Sequence, residues 1–291
     1  MPIRVDNLSK RNGNQWLYRD VSIDAADGEV FAIFGPNGSG KRELLREISN
    51  DSLFGGNKLS LLARIFRPET VAGAIKFDLG ALKSARNSGP VFLDDPFNGL
   101  DEYKRRELAE ILKAKGQAVI FTTTSFDDVL LAADRAAVLA NGYLQQTGEP
   151  HELYREPANR LVASLTGPCN LIEARRLTSS KSDSPEFQTI AGEHRLFTQK
   201  VELRGLGAIN SNAWLAIRPE QVVLSFGASF PEDNLLKGKI AAVRFAGPST
   251  YVTLDCHGLS LEAMVTRLIG LNIGDECMVG LPPDRIRVLA D

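Results

Sequence analysis

The chain has 291 residues, of which 43% are hydrophobic and 24% are charged, and its formal net charge is −2 at pH 7. This balance is ordinary for a globular protein, and it gives no indication of binding to nucleic acid or to an anionic membrane surface. The first residues lack the apolar core of a signal peptide, and no run of about 18 apolar residues occurs, so we expect a cytoplasmic protein without direct membrane insertion.

The first part of the chain, residues 1–167, predicts an α/β domain. Short apolar runs alternate with amphipathic stretches, of which 42–49 and 102–115 are predicted helices. The runs are nearly continuous in apolar residues, as in parallel strands that are buried on both faces of a sheet. The predicted strands cover residues 21–23, 30–34, 91–93, 118–122 and 136–139.

A glycine-rich loop follows the predicted strand 30–34 and leads into the helix 42–49. It consists of Gly35, Pro36, Asn37, Gly38, Ser39, Gly40 and Lys41. Strand, loop and helix in this order form a P-loop, in which backbone N–H groups and the helix N-terminus converge on phosphate oxygens. Lys41 supplies a positive charge for the terminal phosphates. The sequence therefore predicts a cofactor-binding site for a nucleoside triphosphate.

Arg42 occupies the position at which P-loops carry Ser or Thr, whose hydroxyl binds Mg²⁺. A guanidinium has no acceptor and cannot coordinate a cation. Two interpretations of Arg42 remain open. Its guanidinium could pair with phosphate oxygens and replace part of the charge of the ion. Alternatively, the side chain points to solvent and the site is damaged.

Two adjacent carboxylates follow the predicted strand 91–93. Asp94 is placed to hold Mg²⁺ through water at the carboxyl end of a strand beside the loop. Asp95 then occupies the position of a general base that orients the attacking water. Because these acids come after a phosphate loop, the pair predicts the metal and catalytic side of the same site.

The second part of the chain, residues 168–291, predicts a small all-β domain. A polar stretch at 178–185 has no packing pattern. Short alternating strands follow it, including 214–217, 239–245 and 251–255, and Gly, Pro and Asn separate them. This pattern is typical of a barrel or a sandwich.

Together these segments resemble the ATP-binding subunits of ABC importers, in the branch that serves sugars, oxyanions and iron and carries a C-terminal TOBE domain. Leu100-Asp101 resembles the D-loop of this family, and residues 217–220 and 281–286 resemble its TOBE domain. The resemblance implies a P-loop NTPase core with a reduced helical subdomain, followed by an OB-like β-domain. It also implies ATP and Mg²⁺ as cofactors and a membrane permease or a second ATPase subunit as partners. A homo- or heterodimer at the cytoplasmic face of the inner membrane would follow.

The middle of the chain departs from the family pattern. Only 53 positions separate Lys41 from Asp94, which is near half of the family's usual spacing. The missing stretch would hold the antiparallel β-subdomain, the Q-loop and most of the helical subdomain. The best match to the signature motif, Val71-Ala72-Gly73-Ala74, lacks the serine and the glutamine of that motif.

Further departures fall on single residues of the site. Asp95 stands where the family has the longer Glu as base, and Thr124 stands at the position of the switch His. Asn12 occupies the place of an adenine-stacking aromatic, for which Trp16 or Tyr18 could substitute. These changes predict ATP binding at the P-loop with weak or no hydrolysis. The alternative is a regulatory or inactive partner of a complete ABC ATPase.

Overall fold

The chain folds into two compact units, Met1–Arg155 and Glu156–Asp291. The computed structural model describes residues 2–49, 69–71, 74–76, 89–178, 184–199, 208–226, 234–266 and 270–289. Of the helices in these ranges, none combines the length and the apolar character required to span a membrane.

The first unit alternates strands with helices. Its strands are β1 (Ile3–Asn12), β2 (Gln15–Ala25), β3 (Val30–Phe34), β4 (Glu69–Val71), β5 (Ala74–Lys76), β6 (Val91–Asp94), β7 (Val119–Thr123), β8 (Arg135–Ala140) and β9 (Tyr143–Gly148). Its helices are α1 (Lys41–Ile48), α2 (Glu102–Lys113), α3 (Phe126–Ala132) and α4 (Pro150–Arg155).

A five-stranded sheet in the order β6-β7-β3-β8-β9 forms the centre of this unit. The pairs β6–β7, β7–β3 and β3–β8 are parallel, and β9 is antiparallel to β8. Every residue of β3 and β7 is buried, as expected for strands that are covered on both faces. α1 packs Leu44, Leu45 and Ile48 into the same core as Phe31 of β3 and Phe92 of β6. The predicted α/β fold with a parallel sheet is confirmed.

β1 and β2 form a separate two-stranded antiparallel sheet ahead of the P-loop. Ile3 and Val5 of β1 and Val21 and Ile23 of β2 are buried in the core of the unit. Polar residues alternate with these apolar ones, so one face of the pair is buried and the other faces water. This pair lies ahead of the P-loop, and the expectation that the missing stretch would hold the family's antiparallel β-subdomain stays a prediction.

The proposed match to the signature motif lies at a second antiparallel pair, β4–β5. Val71 ends β4 and is paired with Ala74, the first residue of β5. Ala72 and Gly73 lie outside the described residues. The reduced helical subdomain was predicted in this part of the chain and likewise lies outside them.

The second unit consists mainly of strands. They are β10 (Asn170–Arg176), β11 (Glu186–Thr189), β12 (Arg195–Phe197), β13 (Asn212–Ile217), β14 (Val223–Ser225), β15 (Leu235–Phe245), β16 (Thr250–Cys256), β17 (Leu259–Val265), β18 (Glu276–Gly280) and β19 (Arg287–Leu289). They form two antiparallel sheets in the orders β12-β11-β10-β13-β19 and β14-β18-β15-β16-β17. Both sheets contribute to one core, for example Phe187 from the first and Leu261 from the second. The predicted all-β character of this part is confirmed.

A short helix, α5 (Arg160–Leu165), opens the second unit. It packs Ala163 against Ala216 and Leu289 of the same unit. The domain boundary between residues 167 and 168 stays a prediction.

Candidate functional site

The P-loop and the two acids meet at one edge of the parallel sheet. β7 lies between β3 and β6, with Thr123 opposite Phe34 and Thr122 opposite Asp94. Because the carboxyl ends of parallel strands point to the same edge, the loop after β3 lies beside the acids that end β6. A cavity of about 230 Å³ opens there, lined by residues 37–43, Asp94, Asp95 and 122–124.

Two glycines of the loop are required by their surroundings. Gly40 is the N-cap of α1 and has a φ of +90°, which L-residues rarely adopt. A Cβ atom on Gly40 would lie 2.8 Å from the carbonyl oxygen of Leu17. A Cβ atom on Gly35 would collide with the carbonyl oxygen of Leu139 on β8. The loop can therefore take its tight course only with glycine at these two positions.

Lys41 places its ammonium inside the loop. The residue is 8% exposed, and Nζ donates hydrogen bonds to the carbonyl oxygens of Gly35 at 2.8 Å and Pro36 at 2.7 Å. Burial lowers the pKa of Lys41, and the nearby carboxylates of Asp95 and Asp94 oppose part of that shift. The loop thus holds a buried ammonium at the start of a helix, where an anion is also favoured by the helix dipole.

Arg42 pairs with Asp94. Its Nε lies 2.6 Å from Oδ2 of Asp94, and the Arg42 side chain is 59% exposed while that of Asp94 is only 5% exposed. The other carboxylate oxygen of Asp94 accepts a hydrogen bond from Oγ1 of Thr122 at 3.0 Å. Arg42 therefore faces the site rather than only solvent, and its partner is a protein carboxylate. Neither interpretation from the sequence included this contact.

The donor set at Asp94 does not fit a magnesium ion. Both of its oxygens already have protein partners, and one of these is a fixed positive charge. The hydroxyl that a P-loop offers to Mg²⁺ is replaced by the guanidinium of Arg42. No group of three or more His, Cys, Asp or Glu side chains suited to a metal occurs in the described parts of the chain.

Asp95 lies beside Asp94 in an unusual backbone conformation. Its φ is +50°, uncommon for a residue other than glycine, and its backbone N–H donates to Oγ1 of Thr122 at 3.0 Å. Burial and the neighbouring charge of Asp94 raise its pKa, against the opposing effect of Lys41 and Arg42. Asp95 thus retains a proton more readily than an ordinary aspartate.

Thr124 lines the cavity with an exposed side chain, and the residue before it is held by a buried network. Oγ1 of Thr123 donates to Oδ2 of Asp128 at 2.5 Å. Nη2 of Arg105, on α2, donates to Oδ1 of the same carboxylate, also at 2.5 Å. Asp128 was not predicted from the sequence. Its spacing of four residues from Ala132 places both on one face of the helix, and this could have indicated that Asp128 is buried.

Comparisons with known proteins decide the family. A TOBE domain model matches residues 215–289. The chain is 23% identical to the maltose/maltodextrin import ATP-binding protein MalK of Mannheimia succiniciproducens, over 99% of this chain and 95% of that protein. It is 33% identical to the spermidine/putrescine import ATP-binding protein PotA of Nitrosomonas europaea, over 90% of this chain and 91% of that protein. The chain belongs to the ABC import ATP-binding proteins with a C-terminal TOBE domain.

This ABC import ATP-binding protein is shorter than its relative. The alignment with the PotA protein extends over 335 positions, more than the 291 residues of the chain, so the chain lacks residues that the relative has. This agrees with the short spacing between Lys41 and Asp94.

The sequence offered two aromatic residues that could stack on adenine, and the structure leaves one of them as a candidate. Tyr18 is fully buried, and its hydroxyl donates to Oε2 of Glu47 at 2.7 Å, so it cannot stack on a base. Trp16 is 39% exposed, and the guanidinium of Arg11 lies 3.9 Å from its ring centroid. Asn12 ends β1 at the hairpin turn. Trp16 as a stacking residue stays a prediction.

Proposed function

We propose that this protein binds ATP through residues 35–41 as a subunit of an ABC import system, and that it hydrolyses ATP slowly or not at all. The observation that carries the proposal is the contrast within one cavity. Lys41 holds its ammonium within the glycine-rich loop, which supports phosphate binding there, whereas Asp94 is paired with Arg42. The residues that support phosphate binding are therefore different from those on which ATP hydrolysis would depend.

ATP binding is supported by the backbone and by one cation. The tight turns at Gly35 and Gly40 allow the loop to lead directly into the N-terminus of α1. N–H groups at such a position and the helix dipole favour an anion. Lys41 makes its present hydrogen bonds to loop carbonyls, and phosphate oxygens would offer it stronger, charge-assisted ones.

Weak or absent hydrolysis is supported by the residues opposite the loop. We propose that Mg²⁺ is not held at Asp94, because Arg42 occupies its carboxylate. Asp95 in the base position is one methylene shorter than Glu, and an ångström of misplacement can cost on the order of 100-fold in rate. Thr124 has no imidazole with which to contact the transferred phosphoryl group.

The partners are proposed from the relatives, which are named as import ATP-binding proteins. Such a subunit works with a membrane permease, and we propose a homo- or heterodimer at the cytoplasmic face of the membrane. The altered residues Arg42, Asp95 and Thr124 also favour the second candidate, a regulatory or inactive partner of a complete ABC ATPase. Co-purification with a second, complete ATPase subunit would distinguish this from a homodimer.

Equilibrium binding of ATP to the full chain tests the proposal. Wild type should bind ATP, and Lys41→Ala should weaken binding on the order of 100-fold, since hydrogen bonds to charged groups contribute roughly 1.5–3 kcal/mol each. The matched control is Lys113→Ala, which removes an exposed lysine at the end of α2 and should leave affinity unchanged. No ATP binding by wild type, or equal binding by Lys41→Ala, would refute the proposed function.

A further inference from the structure

We infer that this site binds the nucleoside triphosphate without a divalent cation, because the guanidinium of Arg42 occupies the place at Asp94 that the metal would need. The inference rests on the proposed ATP binding and specifies the form of the ligand. It differs from a merely damaged site, because it assigns a positive role to the residue that replaces the metal-binding hydroxyl.

The position of Arg42 is the first observation that supports this inference. It follows Lys41 directly on the first turn of α1, and its Nε reaches the buried Asp94 at 2.6 Å. Thr122 donates to the other oxygen of Asp94. A metal ion at Asp94 would have to compete with the guanidinium for a carboxylate that is only 5% exposed. Breaking a charge pair around a buried carboxylate is costly.

The second step concerns the N–H groups of Arg42 other than Nε. A guanidinium has five N–H donors, and the ion pair with Asp94 uses the one on Nε. The side chain is 59% exposed and lines the cavity at the loop. Its remaining N–H groups can therefore donate to a phosphate oxygen while Nε stays on Asp94. Arginine is well suited to such bridging contacts with phosphate.

The charges at the site predict whether Mg²⁺ strengthens or weakens ATP binding. With Asp94 paired to Arg42, the site presents Lys41, the helix N-terminus and the other guanidinium N–H groups to the ligand, beside the carboxylates of Glu43 and Asp95. ATP free of metal is more negatively charged than its magnesium complex. Mg²⁺ should therefore compete with the protein for the phosphates instead of bridging them. Magnesium is expected to weaken binding, the reverse of its effect at a P-loop with the hydroxyl.

The test is a calorimetric titration of ATP into the full chain, once in EDTA and once with excess MgCl₂ at equal ionic strength. Wild type should bind roughly 3- to 10-fold more tightly in EDTA, since charge-assisted contacts to the phosphates are strongest for the free anion. Arg42→Ser restores the family's hydroxyl and should reverse the order, with tighter binding in Mg²⁺. Arg46→Ser removes the same charge one turn further along α1 and should behave as wild type.

Asp94→Asn provides a second test that does not depend on the folding of Arg42→Ser. Loss of the carboxylate frees Arg42 for phosphate, so binding in EDTA should become tighter. If Asp94 instead held a metal, the same variant would weaken binding in Mg²⁺. Tighter binding of wild type in Mg²⁺ would overturn this inference and leave the proposed function standing. An Arg42→Ser variant with the metal response of wild type would also overturn it, and no binding in either condition would overturn both.

Discussion

The two halves of the nucleotide site differ in how far they keep the family's chemistry. The loop half, residues 35–41, retains its glycines and a buried lysine ammonium. The acid half, Arg42 with Asp94, Asp95 and Thr124, lines the same cavity, and all of these residues but Asp94 depart from the family pattern described in the sequence analysis. If the proposed function holds, phosphate binding depends on backbone geometry and one cation, whereas hydrolysis depends on several side chains that can change independently.

The two halves are held in place by different kinds of contact. The loop half is fixed by close approach of its backbone to Leu17 and Leu139, so it tolerates little change. The acid half is held by side chains: Thr122 binds Asp94, and Asp128 fixes the strand end before Thr124. Substitutions in each half should therefore separate effects on ATP binding from effects on stability.

Arg105→Ala should lower the stability of the protein more than the other variants, because it removes a contact that supports the acid half. It would leave the buried carboxylate of Asp128 without its cation, at a cost of about 3 kcal/mol in the free energy of unfolding. Affinity for ATP should stay close to wild type, because the loop half does not use this contact. Urea unfolding and ATP titration measure the two quantities.

The neighbouring Arg106→Ala is the matched control for that experiment. Arg106 pairs with Glu102 on the exposed face of α2, and its loss should cost no more than about 0.5 kcal/mol. Equal destabilisation by the two variants, or loss of ATP binding in Arg105→Ala alone, would show that the halves are not supported separately.

Gly40→Ala should damage the loop half itself. The φ of +90° and the approach of the new Cβ to the Leu17 carbonyl oxygen should cost about 2 kcal/mol of stability and weaken ATP binding. Gly13→Ala is the control, since Gly13 has a φ of +60° but open space around it. Its cost should be smaller, near 1 kcal/mol, with ATP binding retained. Identical losses at the two positions would argue against the close approach as the cause.

Asp95→Asn should change stability least, and the change should depend on pH. Burial and Asp94 raise the pKa of Asp95 in the folded state, so the folded state binds its proton more tightly than the unfolded state. Stability is therefore lost as pH rises from the unfolded pKa of about 3.9 through the raised folded value. At pH 7 the neutral Asn should raise Tm on the order of 1–2 °C.

That gain should disappear as pH falls below the unfolded pKa of aspartate, where Asp95 is protonated in both states. Asp127→Asn, at an exposed position of α3, is the control and should show no such trend. A gain that grows toward acid pH would contradict the assigned cause.

The loop half could be predicted from sequence because its signal is local. The apolar strand, the glycines and the amphipathic helix are contiguous, and the structure places β3 and α1 on either side of the loop as expected. The position of Asp94 beside the loop follows from parallel pairing, since both strands end at the same edge. The all-β character of the second unit followed likewise from local alternation.

The acid half could be predicted only in part, because its contacts join distant segments. Arg42 and Asp94 are far apart in sequence, and no local pattern states that they meet at 2.6 Å. The contacts of Asp128 with Thr123 and Arg105 depend on how α2 and α3 pack. The burial of Tyr18 likewise depends on tertiary packing, here against α1, where it bonds to Glu47.

Steady-state phosphate release from saturating Mg-ATP tests most directly the claim that this site binds ATP and hydrolyses it slowly or not at all. On a preparation shown by titration to bind ATP, we predict a rate well below about 1 per second, at or near that of Lys41→Ala. Release at a typical enzymatic rate, on the order of 1 per second or faster and abolished by Lys41→Ala, would contradict it.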